Sequence, residues 1–325
     1  ALALVAHRAV RPEDMRRVPS VPSAVGLDQD GPAWSEHDPS SPSAALPAFL
    51  RPSMRLLPIE MAPPHVRSEF VRYAYRPTCT SWRPAVLTLF RLHNETLNIW
   101  SHLLGAAWVC AMLHETLSMA VTDEGQRLAT VVFLLSALFC TVASSLYHLF
   151  GGILSQRTYS ALYQLDINGI SVVIAGSYYP GLRFAFRCLP YTYGAYAWST
   201  LVLLLAAAFA ANFEVPDLVR VATQVVFVAF GLLPMVHWMW VTPLEHWLRY
   251  HGLLLLMFAL YGFGFAVFFV HRLPERWGRP RLALHGIGAS HLWWHVCVVL
   301  AIRAWYVDCR RFATDPHDAC GADDT

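Results

Sequence analysis

Lysine is absent from all 325 residues, so each of the 24 basic side chains is arginine. That uniformity reads as a codon or genome bias. Charge of either sign is scarce at 14% of residues, and a formal net charge of +2 gives no electrostatic footing for a nucleic-acid partner. Cysteine is sparse too. The seven residues (79, 110, 140, 188, 297, 309 and 320) include no CxxC pair, which points away from a thiolate metal site and from a disulfide framework, and leaves them as small core side chains. The opening ALALVAHRAV is interrupted by His7 and Arg8 too soon for a secretory apolar core, so no cleaved signal is expected. Apolar surface is what the chain has in plenty: 56% hydrophobic residues and a mean hydropathy of +0.40 are too much for an ordinary soluble domain. The composition is that of a membrane protein.

Crossing roughly 30 Å of hydrocarbon takes about 20 mostly apolar residues. Seven such stretches are present, near 98–120, 128–150, 159–182, 192–213, 218–241, 251–271 and 286–307, and no internal repeat relates them. The expected fold is therefore all-α, a seven-helix transmembrane bundle. Four regions follow: a disordered tail over 1–57, rich in Pro, Ser, Ala and Gly; a juxtamembrane amphipathic segment over 58–92, where aromatic residues mix with Arg; the transmembrane domain over 93–308; and a short tail over 309–325. An odd number of spans puts the two ends of the bundle's chain on opposite sides. Arg51, Arg55, Arg67, Arg72, Arg76, Arg83 and Arg91 precede span 1, and Arg157, Arg220, Arg272, Arg276, Arg279 and Arg281 fall in loops on the same side. The opposite side carries only Arg127, Arg183, Arg187, Arg249, Arg310 and Arg311. The positive-inside rule then predicts a cytosolic N-terminus and a non-cytosolic C-terminus, in the plasma membrane or an endomembrane.

That topology gathers four polar residues at one membrane face. His148 lies at the end of span 2, Asp166 near the start of span 3, and His291 and His295 near the start of span 7, all in the cytosolic half. At 1.5 Å per residue their depths fall at roughly 3 to 14 Å from the helix ends. His291 and His295 stand at i, i+4, one turn apart on one helical face, as two ligands of a single ion require, and Ser144 and His148 share that spacing. A lone histidine in a span reads as a hydrogen-bonded interior residue. Three with an aspartate at matching depth read differently, since a central Asp alone costs about 2.5–3.5 kcal/mol on insertion scales. Imidazole and carboxylate donors without thiolate fit zinc. Three His leave a tetrahedral position open for water, as in catalytic sites. Asp166 then either ligates the ion directly or acts through that water as orienter or base, and Ser144 either donates to the water or a substrate carbonyl or merely bonds a backbone carbonyl one turn back.

In order and spacing, HNETLNIWSHLLG (93–105), SSLYHLF (144–150), LDINGI (165–170), GLLPMVHW (231–238), RLPER (272–276) and SHLWWHVCVV (290–299) resemble the progestin and adipoQ receptor family, above all its adiponectin-receptor-like branch. The resemblance covers about residues 65–308. It implies a seven-helix bundle with a cytosolic N-terminus and a zinc ion held by His148, His291 and His295, with Asp166 reaching it directly or through water. It also implies a ceramide-like membrane lipid as substrate, by analogy with relatives tied to ceramide hydrolysis, and an extracellular protein or a steroid as ligand. Two departures stand out: Ile167 replaces the Tyr common after the Asp, and WGRPRLALHG follows RLPER in place of an aromatic-Pro-Gly turn.

Other polar residues have quieter readings. Glu95, Asn98 and His102 share one face at the entrance of span 1 and are expected to form a polar network between helix ends, direct participation in the site being the lesser alternative. His237, after Pro234, reads as a packing or kink partner, and His114 with Glu115 as interfacial. Trp100, Tyr191, Trp240, Trp247 and Trp305 read as interfacial belt residues. Three functional classes remain. The first is a zinc-dependent lipid amidohydrolase with Asp166 and Ser144 as catalytic residues. The second is a receptor or scaffold in which zinc is structural. The third, a transporter or channel, is weakest, because the polar groups gather at one face and no span is plainly broken at mid-membrane. The sequence favours the first two together: an adiponectin- or progestin-receptor-like zinc-binding bundle with ceramidase-like hydrolase chemistry, the alternative being a non-catalytic receptor or scaffold with structural zinc.

Overall fold

The computed structural model describes residues 56–68, 70–79, 81–277 and 289–314. Most of the expected 1–57 tail and the residues after Thr314 lie outside that description. Among the described residues the chain is helical, with no strand beyond a single antiparallel bridge between Leu57 and Tyr75.

A short helix, α1 (Trp82–Leu87), and a 3-10 turn (Thr88–Phe90) end the juxtamembrane arm. The long helices follow: α2 (Thr96–Ser118), α3 (Glu124–Leu146), α4 (Gln156–Ala185) and α5 (Pro190–Asn212). After them come α6 (Asp217–Phe230) and α7 (Leu232–Val241), in line with one another, then α8 (Leu244–Phe263) and α9 (Ser290–Thr314). In hydrocarbon every backbone group must be satisfied internally, which is why the apolar stretches become helices. Polar side chains mark where they start: Asp123 accepts from the Gln126 amide at the head of α3, and Ser155 from the Thr158 amide at the head of α4.

Six helical segments are long and apolar enough to cross a membrane: Thr96–Ser118, Glu124–Gly151, Pro190–Asn212, Asp217–Val241, Trp247–Trp277 and Ser290–Thr314. The third expected span is present as α4 but does not meet that measure. Its polar positions, Gln164, Asp166 and Asn168 among them, explain why. The fifth expected span is interrupted at Gly231, between α6 and α7, rather than running unbroken.

Helices α2, α3 and α9 bury the largest share of their surface, while α5 to α8 lie at the periphery. Their core is apolar, built on Val109, Phe133, Leu134, Ile302, Tyr306 and Phe312. Outward-facing Leu104, Phe139, Val202, Leu205 and Leu233 remain exposed, as lipid-facing residues do. Because lipid tails are as apolar as Leu, close helix contact inside a bilayer depends on small residues. Gly169 shows this: a Cβ built there would stand 3.0 Å from the Cys140 Cα, so α4 approaches α3 as far as a bare glycine allows, three residues beyond Asp166.

Two expectations need correcting. Cys188, just after α4, is disulfide-bonded, whereas Cys79, Cys110, Cys140, Cys297 and Cys309 are free. Spacing along a sequence carries no trace of which cysteine is paired. Trp305 is no belt residue. It is buried, and its indole donates to the Ser177 carbonyl at 2.9 Å, because α9 runs on to Thr314 and leaves Trp305 more than two turns from the helix end.

Candidate metal centre

The last turn of α3 widens into a π-turn, Tyr147–Gly151, which carries His148. Facing it is the start of α9, where the i, i+4 spacing brings His291 and His295 onto one face. Glu275, from the RLPER stretch, fixes this start: its carboxylate accepts from the Ser290 amide at 2.6 Å and from the Ser290 hydroxyl.

The three rings meet. Nε2 of His148 and Nε2 of His291 are 3.2 Å apart, and ring centroids lie 5.0 Å apart for His148 and His295 and 4.6 Å for His291 and His295. One ring nitrogen from each lies within 4.8 Å of the other two, so the group could hold a metal ion. His148 and His295 are buried and His291 half-buried. Asp166 is not one of that group. It sits half-buried on α4 within electrostatic reach of His148, with buried Ser144 as its hydrogen-bonding neighbour. All four sequence-derived positions and Ser144 therefore share one region, with the three imidazoles in contact and the carboxylate beside them.

The other ring nitrogens are already engaged. Glu95, at the N-cap of α2, accepts from Nδ1 of His148 at 2.8 Å. The Ser101 hydroxyl donates its one proton to the Asn98 carbonyl (2.8 Å) and lies 2.9 Å from Nδ1 of His295. Having no second proton, its oxygen accepts there. Both contacts put a proton on Nδ1 and leave Nε2 as a bare lone pair, the arrangement that second-sphere acceptors give to metal-binding histidines. His102 stacks on His295 with centroids 3.7 Å apart. Of the expected network of Glu95, Asn98 and His102, the first two are joined, the Asn98 amide donating to Glu95 at 2.8 Å, whereas neither ring nitrogen of His102 has a hydrogen-bond partner and it reaches the histidines by stacking alone.

Arg76 and Ser101 were not singled out by sequence reasoning. Arg76 counted there only as a topological charge, and Ser101 only as a letter within a longer match. The buried Arg76 guanidinium reaches the carbonyls of His148 (2.6 Å) and Leu149 (2.9 Å) and the Thr88 hydroxyl (2.9 Å). Burial lowers its pKa to about 10, with nearby Glu95 opposing, so it stays charged at neutral pH. Burial also opposes the charge on Glu95, yet the His148 hydrogen bond and charge, the Asn98 amide and Arg76 hold its carboxyl below the usual carboxylate range. The quieter expectations fare well: His237 pairs with the Tyr196 hydroxyl at 3.0 Å, and exposed His114 and Glu115 lie near the end of α2.

The family described as haemolysin-III related matches residues 90–306, from the end of the arm to α9. The chain belongs to this family. Among its relatives are the human progestin and adipoQ receptor family member 3, 29% identical over 80% of this chain and 86% of its own length, and heptahelical transmembrane protein 1 of Arabidopsis thaliana, 30% identical over 74% and 75%. The adiponectin receptor protein of Drosophila melanogaster is 30% identical over 74% of this chain and 55% of its own length. Together with the six apolar helices, these make the chain an integral, multi-pass membrane protein of the progestin and adipoQ receptor family.

Proposed function

We propose that the chain is a zinc-dependent hydrolase of ceramide-like lipid amides, built as a seven-helix bundle with α4 as the third crossing and the juxtamembrane arm in the cytosol. One observation carries the reading: three imidazoles converge, and two of them have Nδ1 committed to an acceptor, so that bare Nε2 atoms face one point. Two nitrogens on one tetrahedral zinc stand about 3.3 Å apart when Zn–N is roughly 2.0–2.1 Å. The 3.2 Å between His148 and His291 fits that separation. His148, His291 and His295 would hold the ion, and Asp166, outside the group of three, would act through water. The disulfide at Cys188 supports the orientation, because it follows α4 at the end away from the histidines and disulfides persist in non-cytosolic compartments.

When bound, zinc supplies Lewis acidity, polarising an amide carbonyl and easing deprotonation of water near neutral pH. The chain's own groups do the rest. Asp166 accepts a proton as water adds its hydroxyl to the acyl carbon, then delivers that proton to the amine nitrogen as the C–N bond breaks, giving fatty acid and free amine. Ser144 gives its one hydroxyl proton to Asp166 and so orients that carboxylate.

A second reading rests on the relatives' names. Several are called receptors, and the chain would then answer an extracellular protein or a steroid, with zinc holding α3 and α9 together. Purified protein and its Asp166→Asn variant, assayed for zinc and for fatty acid released from ceramides of varied chain length, separate the two. The hydrolase reading expects Asp166→Asn to keep zinc and lose turnover by about 100-fold or more. Zinc-loaded wild type that releases no fatty acid would leave the structural role.

A further inference from the structure

The arm that precedes α2 touches the candidate centre at two chemically distinct places. The π-turn ends α3, and the carbonyls near a helix end have no partner within the helix. Arg76, 3% exposed, takes two of them, those of His148 and Leu149, and a guanidinium at a helix C-terminus also complements its partial negative charge. A second strand of contacts runs to the ring: Glu95 accepts from Nδ1 of His148 and is itself steered by the side-chain amides of Asn94 (3.0 Å) and Asn98 (2.8 Å).

These two side chains are delivered as a unit. Ala74 adopts φ 71°, a left-handed conformation that a residue with a side chain rarely takes, and its carbonyl accepts from the Asn94 amide at 3.0 Å. That one hydrogen bond ties the segment bearing Arg76 to the segment bearing Glu95. Further on, the Cys79 amide donates to the Ile153 carbonyl at 2.7 Å, so the arm's backbone also grips the turn just beyond His148. Backbone strain of this kind persists where the surroundings over-determine it, and functional sites are where it concentrates.

We propose that the juxtamembrane arm and the N-cap of α2 to which it is tied are a working part of the metal centre, with Arg76 of the arm and Glu95 of the cap as positioning residues that hold His148 by its main chain and by its ring. The proposal rests on the reading that the three histidines bind zinc. Removing either residue leaves all three ligands in the sequence but frees one of them to rotate. Acceptors of this kind set tautomer, ring orientation and basicity, and their loss lowers metal affinity by about 10- to 100-fold.

The test uses the full chain in detergent or nanodiscs, as wild type, Glu95→Gln, Glu95→Asp, Arg76→Gln and Arg76→Lys. Asp123→Asn serves as a control, cutting an ion pair with Arg183 remote from the histidines. Zinc affinity is read by chelator competition, the visible spectrum of the cobalt-substituted protein reports ligand geometry, and thermal unfolding of the metal-free protein reports the fold. Glu95→Gln and Arg76→Gln are expected to lose about 10- to 100-fold in zinc affinity and to shift the cobalt bands. Glu95→Asp and Arg76→Lys should recover part of the loss, and Asp123→Asn should change melting alone. If one variant fails to fold, the other carries the test, since each acts on a different atom of His148. Zinc affinity and cobalt spectra unchanged in folded variants would overturn the arm's role while leaving the zinc reading intact. A wild type that takes up no metal would overturn both.

Discussion

Ser101 offers the cleanest perturbation of the centre, because one hydroxyl serves one ligand and nothing else in the chemistry. It accepts from Nδ1 of His295 at 2.9 Å and donates to the Asn98 carbonyl at 2.8 Å. Ser101→Ala removes that oxygen from the second turn of α2, where Ala is the better helix former, so the helix itself is spared. His295, 2% exposed, then loses that acceptor, keeps only the Asn98 carbonyl within reach, and has a freer ring. A buried donor left wholly unsatisfied costs about 1–3 kcal/mol, the ceiling for this loss. At 1.4 kcal/mol per factor of ten this corresponds to roughly 5- to 150-fold in affinity, in line with the range of about 10- to 100-fold seen when such partners are lost. The assay is chelator competition for zinc on purified protein, with Ser101→Thr as the variant that restores a hydroxyl. Ser101→Ala should weaken zinc within that range, and Ser101→Thr should recover most of it. Wild-type affinity in Ser101→Ala, or an equal loss in Ser101→Thr, would refute the assignment of Ser101 as the partner that orients His295.

Other outcomes follow from specific contacts. Gly169→Val forces side-chain atoms into the Cys140 backbone, 3.0 Å from the first added carbon, so α4 must shift away from α3; a stability loss of about 1–3 kcal/mol by thermal unfolding, with zinc retained and hydrolysis reduced, is expected. For Cys188, a membrane-impermeant maleimide applied to intact cells should label the thiol only after external reductant is added; labelling that needs permeabilised membranes would reverse the proposed topology.

The sequence was most informative where a period or a spacing could be counted. Apolar runs located most helix ends to within a few residues, missing the start of α8 and the end of α9 by seven, and the i, i+4 pair in α9 with His148 located the group of three histidines. What escaped depended on contacts between distant segments. Arg76 acts on His148 from 72 residues away, a relation that no local pattern encodes. Ser101 reaches His295 across 194 residues. The π-turn at Tyr147–Gly151 leaves no mark in an apolar stretch that reads as plain helix. The belt reading of Trp305 failed for a related reason: it needed the end of α9, and the helix runs beyond the point where hydropathy falls.

The most direct measurement is the zinc content of purified protein, wild type beside His148→Ala, His291→Ala, His295→Ala and Asp166→Asn. Three imidazoles with ring nitrogens within 4.8 Å of one another predict one zinc per wild-type chain, retained in Asp166→Asn and largely lost in each histidine variant. Zinc-free wild type, or histidine variants that carry as much zinc as wild type, would contradict the centre.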